Sequence, residues 1–222
     1  MLSALLRKFR KRPWPASVEQ LRNLRISYAQ FAEDLVVSNI FGYEKAAGFY
    51  VDLGCFEPVQ FSNTFIFYQR GWSGVAIDAN AELKSAWQKK RPRDAFVHSG
   101  VAEQAAEFEY LRYAQFPACN GFGRKERPRL KAESIKVRCR PLCEILAEHV
   151  PAKTKIDFMS IDCEGMDLEA LRSNDFERFR PAVLLVEDDF KAPDSEIQRY
   201  CESLGYRLHS MCHLSKIFVD RA

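Results

Sequence analysis

Five short runs of aliphatic and aromatic residues recur along the chain: GFYVDL at 48–53, GVAID at 74–78, AFVHSGV at 95–101, IDFMSI at 156–161 and AVLLVE at 182–187. Segments with apolar residues at helical spacing separate them, at 29–41, 81–90, 142–149, 166–172 and 194–204. Ser62-Asn63-Thr64 can cap a further helix, FIFYQR, which Gly71 ends. Buried strands alternating with helices predict an α/β fold, a doubly wound and mostly parallel sheet. Residues 107–112 and 135–139 read as an added antiparallel pair. Residues 206–211 and 217–220 read as closing strands, with the C-terminal one antiparallel.

In such a sheet ligands bind beyond the carboxyl ends of the strands, and here those ends are acidic. The first run delivers Asp52 and Gly54, and the second delivers Asp78. The fourth delivers Asp162, Glu164 and Gly165, and the fifth delivers Glu187, Asp188 and Asp189. One acid after a strand is ordinary helix capping; acids at four ends of one sheet point to a site. An acid at the end of the second strand suits both hydroxyls of an adenosine ribose. The ligand is then a dinucleotide or S-adenosylmethionine. Cys55, Phe56, Glu57 and Pro58 follow Gly54, so G-x-G-x-x-G is absent, and Glu57 would repel a pyrophosphate. A sulfonium carrying an ammonium suits Asp52 and Glu57 better. Val101 ends the third run, where the adenine is expected.

Charge and cysteines narrow the classes further. Residues 1–25 hold seven Lys/Arg against one acid, a charge of +6, which leaves −3 for the rest of a chain whose total is +3. A basic tail on a slightly acidic body argues against a nucleic-acid-binding domain. The seven cysteines form no Cys-x-x-Cys pair, and read as reduced thiols of a cytoplasmic protein. The opening MLSALLRKFRKRP places its positive charge after its apolar residues, the reverse of a secretory signal. Its leucines share a helical face with basic neighbours, so residues 1–12 read either as a frayed tail or helix docked on the protein or as a peripheral membrane contact. The expected organisation is a basic extension over 1–26 and a single domain over 27–222. Residues 123–140 carry eight basic and two acidic residues, either as a solvated face or as a clamp for an anionic acceptor.

Several segments, taken in order, carry a family resemblance. They are Tyr28-Ala29-Gln30 with Glu33-Asp34-Leu35, then YVDLGCFEP, FSNTFIFYQRGWSGVAID, FMSIDCEGMDLEAL and RPAVLLVE. Together they resemble the FkbM-type methyltransferases over most of the chain from Ser27 onward. Phe56 departs from the general D-x-G-x-G pattern by replacing its second glycine. The resemblance implies a class I methyltransferase fold that uses S-adenosylmethionine to methylate hydroxyls of sugars, glycans or glycosylated natural products. It implies that Asn63 and Thr64 join Asp52, Gly54, Glu57, Asp78 and Val101 around the cofactor, beside the helix-cap reading of those two. Asp162 and Glu164 are the expected catalytic pair, deprotonating or orienting the acceptor. Acids at the fourth and fifth strand ends are also similar to those with which another methyltransferase group binds Mg²⁺, which makes Asp162, Glu187 and Asp188 the expected metal set. An acceptor that is anionic or lipid-linked would match the basic segments. A membrane-surface module that keeps the fold without catalysis, and an NAD-dependent oxidoreductase, are the alternatives.

Overall fold

The computed structural model describes residues 21–122, 131–188 and 194–221. The apolar face expected over residues 1–12 therefore lies outside the described residues, as do Asp189 and the first part of the basic loop.

The helices are α1 (Glu33–Phe41), α2 (Phe65–Gln69), α3 (Lys84–Lys90), α4 (Leu142–His149), α5 (Asp167–Arg172) and α6 (Glu196–Ser203). The strands are β1 (Phe49–Leu53), β2 (Ser73–Asp78), β3 (Ala95–His98), β4 (Gly100–Val101), β5 (Ala106–Arg112), β6 (Glu133–Arg140), β7 (Phe158–Ile161), β8 (Val183–Glu187), β9 (Tyr206–Cys212) and β10 (Ser215–Asp220). Seven strands form one sheet in the order β3-β2-β1-β7-β8-β10-β9. The pairs from β3 to β8 are parallel, and β10 runs antiparallel to both its neighbours. From β1 the chain builds outward to β2 and β3, then returns to lay β7 on the other side of β1. That reversal opens a crevice at the β1/β7 boundary, where ligands of open α/β sheets bind.

Alternation along the strands divides the core into two layers. Val51, Leu53, Met159, Ile161, Leu184 and Val186 face α4 and α5, packing on Leu142, Leu146 and Leu171. Tyr50, Phe158, Val183 and Leu185 face the other way, toward Val37 of α1, Phe67 of α2 and Trp72. Asp52, two residues after Tyr50, belongs to this second side. Trp72 is a core aromatic, 1% exposed, with its indole N–H donating to the Lys45 carbonyl at 3.1 Å.

Two elements differ from the sequence reading. The helix expected from residue 29 starts at Glu33, because Ala32 is left-handed at φ 67°. Asp34 holds the preceding segment in that non-helical path, accepting from Ser27 Oγ at 2.6 Å and the Tyr28 N–H at 2.8 Å. The single strand expected over 95–101 breaks after His98. Gly100 and Val101 cross to a second sheet of order β4-β6-β5. A Cβ at Gly100 would lie 2.3 Å from Cys139 Sγ, so only glycine lets β4 approach β6 this closely. In that small sheet Glu107 opposes Arg138 and Glu109 opposes Lys136, while Arg140 pairs with Glu144 and Glu148. The basic residues of β6 are thus matched by acids on a solvated face.

Candidate active site

The crevice at the β1/β7 boundary opens into a cleft of about 840 Å³, part of it open to solvent. Loops after β1, β2, β7 and β5 build its walls. They contribute Gly54 and Phe56, then Asp78, Asn80 and Leu83, then Asp162 and Glu164, and finally Asn120, Gly121 and Phe122. Val101 and Tyr110 come from the small sheet, and Gln30 and Phe61 close the remaining side.

Gly54 makes the crevice possible. Its φ is 66°, and a Cβ there would sit 1.7 Å from the Asp162 carbonyl oxygen. The ends of β1 and β7 therefore touch at a point where no side chain fits. Phe56 occupies the position that a second glycine would take, and its backbone is left-handed all the same, at φ 45°. That conformation costs a non-glycine residue ~1–2 kcal/mol. Two hydrogen bonds hold it: the Phe56 N–H donates to Asp78 Oδ2 at 2.9 Å, and the Trp87 indole donates to the Phe56 carbonyl at 2.7 Å. Trp87 lies on α3 and is 1% exposed, so the loop is anchored to the core.

Asp78 is also fixed on its other oxygen, which accepts the Asn80 N–H at 2.7 Å. Burial raises its pKa to about 6 against those two bonds. Its carboxylate lies in the cleft wall with both oxygens oriented by backbone.

Asp162 is strongly perturbed. Burial, and then the neighbouring charges of Glu187, Asp167 and Glu164, push it well above the usual carboxylate range, and it hydrogen-bonds Glu187. Asp162 and Glu187 thus lie side by side in the wall of the site. The Asp162 Oδ1 is withdrawn from solvent and has no hydrogen-bond partner among the described residues. Glu164, left-handed at φ 50°, lies in the cleft wall against Gly121. A Cβ at Gly121 would come 2.5 Å from the Glu164 Cβ.

A second, smaller cavity of about 330 Å³ adjoins the cleft and is almost wholly polar. Gln30, Phe61 and Asp162 line both spaces. Glu33, Asn63, Glu187 and Ser215 complete the polar lining, with Phe31 at the rim.

The expected site residues therefore separate into groups. Gly54, Asp78, Val101, Asp162 and Glu164 share the cleft. Asp52 does not line it: only 4% exposed, it accepts the Thr64 hydroxyl at 2.5 Å behind the wall, and burial lifts its pKa to about 7. Thr64 is fully buried with it. Asn63 donates to Ser160 Oγ at 3.0 Å and opens on the smaller cavity. Glu57 is half-buried and lines neither space. His98 is exposed beside the Ala79 carbonyl, 3.0 Å away.

The expected metal set needs correction. Asp188 turns away from Asp162 and pairs with the buried Lys216 at 2.9 Å, where it also accepts from Ser195. The acids that do converge are Asp162, Asp167 and Glu187, with one oxygen of each within 4.8 Å of the others. Asp167 already accepts the Cys163 N–H at 2.7 Å and the Gly165 N–H at 3.1 Å. It is a clamp for the β7 loop, its pKa raised by burial to about 7. With both oxygens of Asp167 taken by the loop, this donor set offers a hard divalent ion two free carboxyl groups, and no step is derived through a metal.

Sequence patterns gave no sign of Arg91. It follows α3 and is fully buried. Its guanidinium donates to Asp94 at 2.7 Å, to the Tyr50 hydroxyl at 2.7 Å, to Ser62 Oγ at 3.1 Å and to the Pro58 carbonyl at 3.3 Å. It thereby fastens the loop between β1 and α2 from beneath. The only sequence signal is an arginine just past a short helix, which solvated arginines share.

The strand order, the cleft at the chain reversal and the carboxylate after β2 define a methyltransferase of the Rossmann-like class. Its family is more particular: the model of the methyltransferase FkbM domain matches residues 46–208, and the chain belongs to that family. A search of curated proteins found no match to the chain.

Proposed function

We propose that the protein is an S-adenosylmethionine-dependent O-methyltransferase acting on a hydroxyl of a sugar, glycan or glycosylated natural product. The observation that carries this reading is the position of Asp162, which lines both the cleft and the smaller polar cavity. A cofactor in the first space and a hydroxyl in the second would meet at one carboxyl group.

The residues present fit the cofactor. Asp78 would take the ribose hydroxyls, with Leu83, Val101 and Phe122 as apolar surfaces near the adenine. Asp162 and Glu164 face the far end of the cleft, where carboxylates suit a sulfonium and an ammonium and would oppose a pyrophosphate. S-adenosylmethionine supplies an electrophilic methyl group when bound. The chain's own part is to orient the acceptor oxygen and to receive its proton. The Asp162 and Glu187 carboxyl groups lie together at this point, and one of them would take the hydroxyl proton as the oxygen attacks. Glu164 orients the acceptor from the cleft side.

Isothermal calorimetry with S-adenosylmethionine, followed by labelled methyl transfer into a panel of sugars, sugar nucleotides and envelope glycans, tests the reading. The expected result is binding that Asp78→Ala weakens roughly ten- to hundred-fold, on the scale of one or two charge-assisted bonds. Asp162→Asn should keep binding and lose turnover. Label on nitrogen or carbon in place of oxygen would overturn the O-methyl assignment, and absence of cofactor binding would overturn the whole.

A further inference from the structure

Three exposed aromatic rings, each carried by a different loop, stand around the mouth of the smaller cavity. Phe31 and Phe61 line it and are 39% and 44% accessible. His213, in the turn between β9 and β10, is exposed and packs edge-on against Phe31 with ring centroids 4.2 Å apart. Each loop arrives through a left-handed backbone: Phe61 at φ 57°, His213 at φ 51°, and Ala32, directly after Phe31, at φ 67°. For a residue as bulky as phenylalanine that conformation is strained, and such strain gathers at sites that clamp ligands. Neither phenylalanine joins an apolar core cluster of the described residues, so core packing does not account for where they stand. The Ser62 N–H donates to the Tyr28 carbonyl at 3.0 Å, which ties together the two segments that present them. Behind the rings the cavity is polar. Asn63 gives one amide N–H to Ser160, which leaves its carbonyl oxygen and second N–H for a ligand. The Gln30 amide borders both spaces, and Ser215 adds a hydroxyl.

A ligand that suits both parts has a flat apolar face and several polar groups along its edge. We infer that Phe31 and Phe61 form the seat of the acceptor, and that the acceptor is a pyranose whose C–H face lies on these rings while its hydroxyl-bearing edge enters the cavity. The C–H groups of a sugar face carry slight positive charge and meet the negative face of an aromatic ring. Each sugar hydroxyl both donates and accepts, which matches the amides of Gln30 and Asn63 and the hydroxyl of Ser215 and requires no charged group on the acceptor. A simple phenol also stacks on such rings but brings one hydroxyl, and so leaves most of the polar lining without partners, a costly outcome once water is displaced. A lipid chain brings none. Asp162 and Gln30 border both spaces, so a hydroxyl on the entering edge faces the cleft. This inference rests on the methyltransferase reading of the cleft and names the residues that hold the acceptor.

The test uses the full chain saturated with S-adenosylhomocysteine and titrated separately with the methyl glycosides of glucose, galactose and mannose, with catechol, and with phosphatidylglycerol vesicles. The amide resonances of Phe31, Phe61 and Asn63 provide the readout. At least one glycoside should bind tenfold more tightly than catechol. Phe61→Gly removes the ring and accepts the left-handed backbone. It should lower glycoside affinity at least fivefold, with a melting temperature no lower than wild type and S-adenosylhomocysteine affinity within twofold. Phe31→Ala should lower glycoside affinity to a similar extent. No glycoside binding, catechol bound as tightly as every glycoside, or unchanged glycoside affinity in both variants would overturn the inference. So would vesicles that shift these resonances where glycosides do not, since the rings would then be a lipid contact. Failure of the wild-type protein to bind S-adenosylhomocysteine would instead refute the cofactor reading, so the two failures are distinct.

Discussion

A carboxylate that holds ribose hydroxyls works best ionised, and burial places Asp78 at a pKa of about 6. Its charge is therefore lost as pH falls through about 6, two units above where an exposed aspartate would lose it. Cofactor affinity is expected to be flat from pH 8 to 7 and to weaken progressively toward pH 5. Asp78→Asn should bind weakly with no such step. Calorimetry across that range reads both, and a wild-type affinity that is the same at pH 5 and 8 would exclude Asp78 as the ribose ligand. At Gly54 the constraint is steric. Gly54→Ala places a Cβ against the Asp162 carbonyl in a backbone region unfavourable to alanine. We expect a loss of roughly 2–4 kcal/mol in urea unfolding, and wild-type stability would mean that the β1 and β7 ends can separate. Asp78 and Gly54 were legible in the sequence because each follows its strand directly. The approach of Glu33 to Ser215 was not, because the two lie more than a hundred residues apart in the chain. Asp188 was misread because an acid after a strand looks the same whether it faces the cleft or a lysine of another strand.

Among the elements, the loop between β1 and α2 shows how a functional segment is held without regular structure. Arg91 reaches it from the end of α3, stacked 4.2 Å from the Trp87 ring centroid and paired with Asp94. Asp94 also accepts the Tyr50 hydroxyl and the Gly74 N–H at 2.8 and 2.9 Å. The pair thus joins β1, β2, α3 and the loop. Removing one partner of a buried pair leaves the other uncompensated, which costs ~3–5 kcal/mol. Arg91→Ala should destabilise by about that amount, and adding Asp94→Asn should restore part of it. A double-mutant cycle in urea measures this, and strict additivity would show that the two do not act together. The periodicity that revealed the strands carried no information about this contact, since ion pairs between loops leave no repeat. The split between β3 and β4 was hidden for a related reason. AFVHSGV reads as one run, and only the sulfur of Cys139 packed against Gly100 makes it two.

At the scale of the whole molecule, the alternation of apolar runs and helices predicted the parallel sheet, and the acids at the strand ends pointed to the edge where the cleft lies. The raised carboxyl pKa values make that arrangement costly before ligand arrives. Asp52 is held at about 7, so its neutral form is favoured in the folded protein. The corresponding stability is full below the unfolded value near 4 and is lost as pH rises through about 7. The ligand-free protein should melt at a higher temperature at pH 6 than at pH 8, and Asp52→Asn should flatten that slope. Thermal melts across the window check this, and a melting temperature that rises with pH would contradict it. The far side of the sheet sets a different constraint, one of order in time. Strand β9 hydrogen-bonds to the sheet only through β10, so the hairpin they form joins the sheet through β10, with β9 docking no earlier than β10. The turn of that hairpin brings Leu214 and Ser215 to the smaller cavity, whereas residues 30–164 suffice to line the cleft. A refolding chain is then expected to regain its grip on the cofactor before it can recognise anything to methylate. Stopped-flow refolding would see cofactor binding return ahead of turnover, and a simultaneous return would mean that the hairpin docks no later than the rest. Turnover would thus report completed assembly, and a chain caught with its last hairpin undocked would sequester cofactor without modifying a substrate.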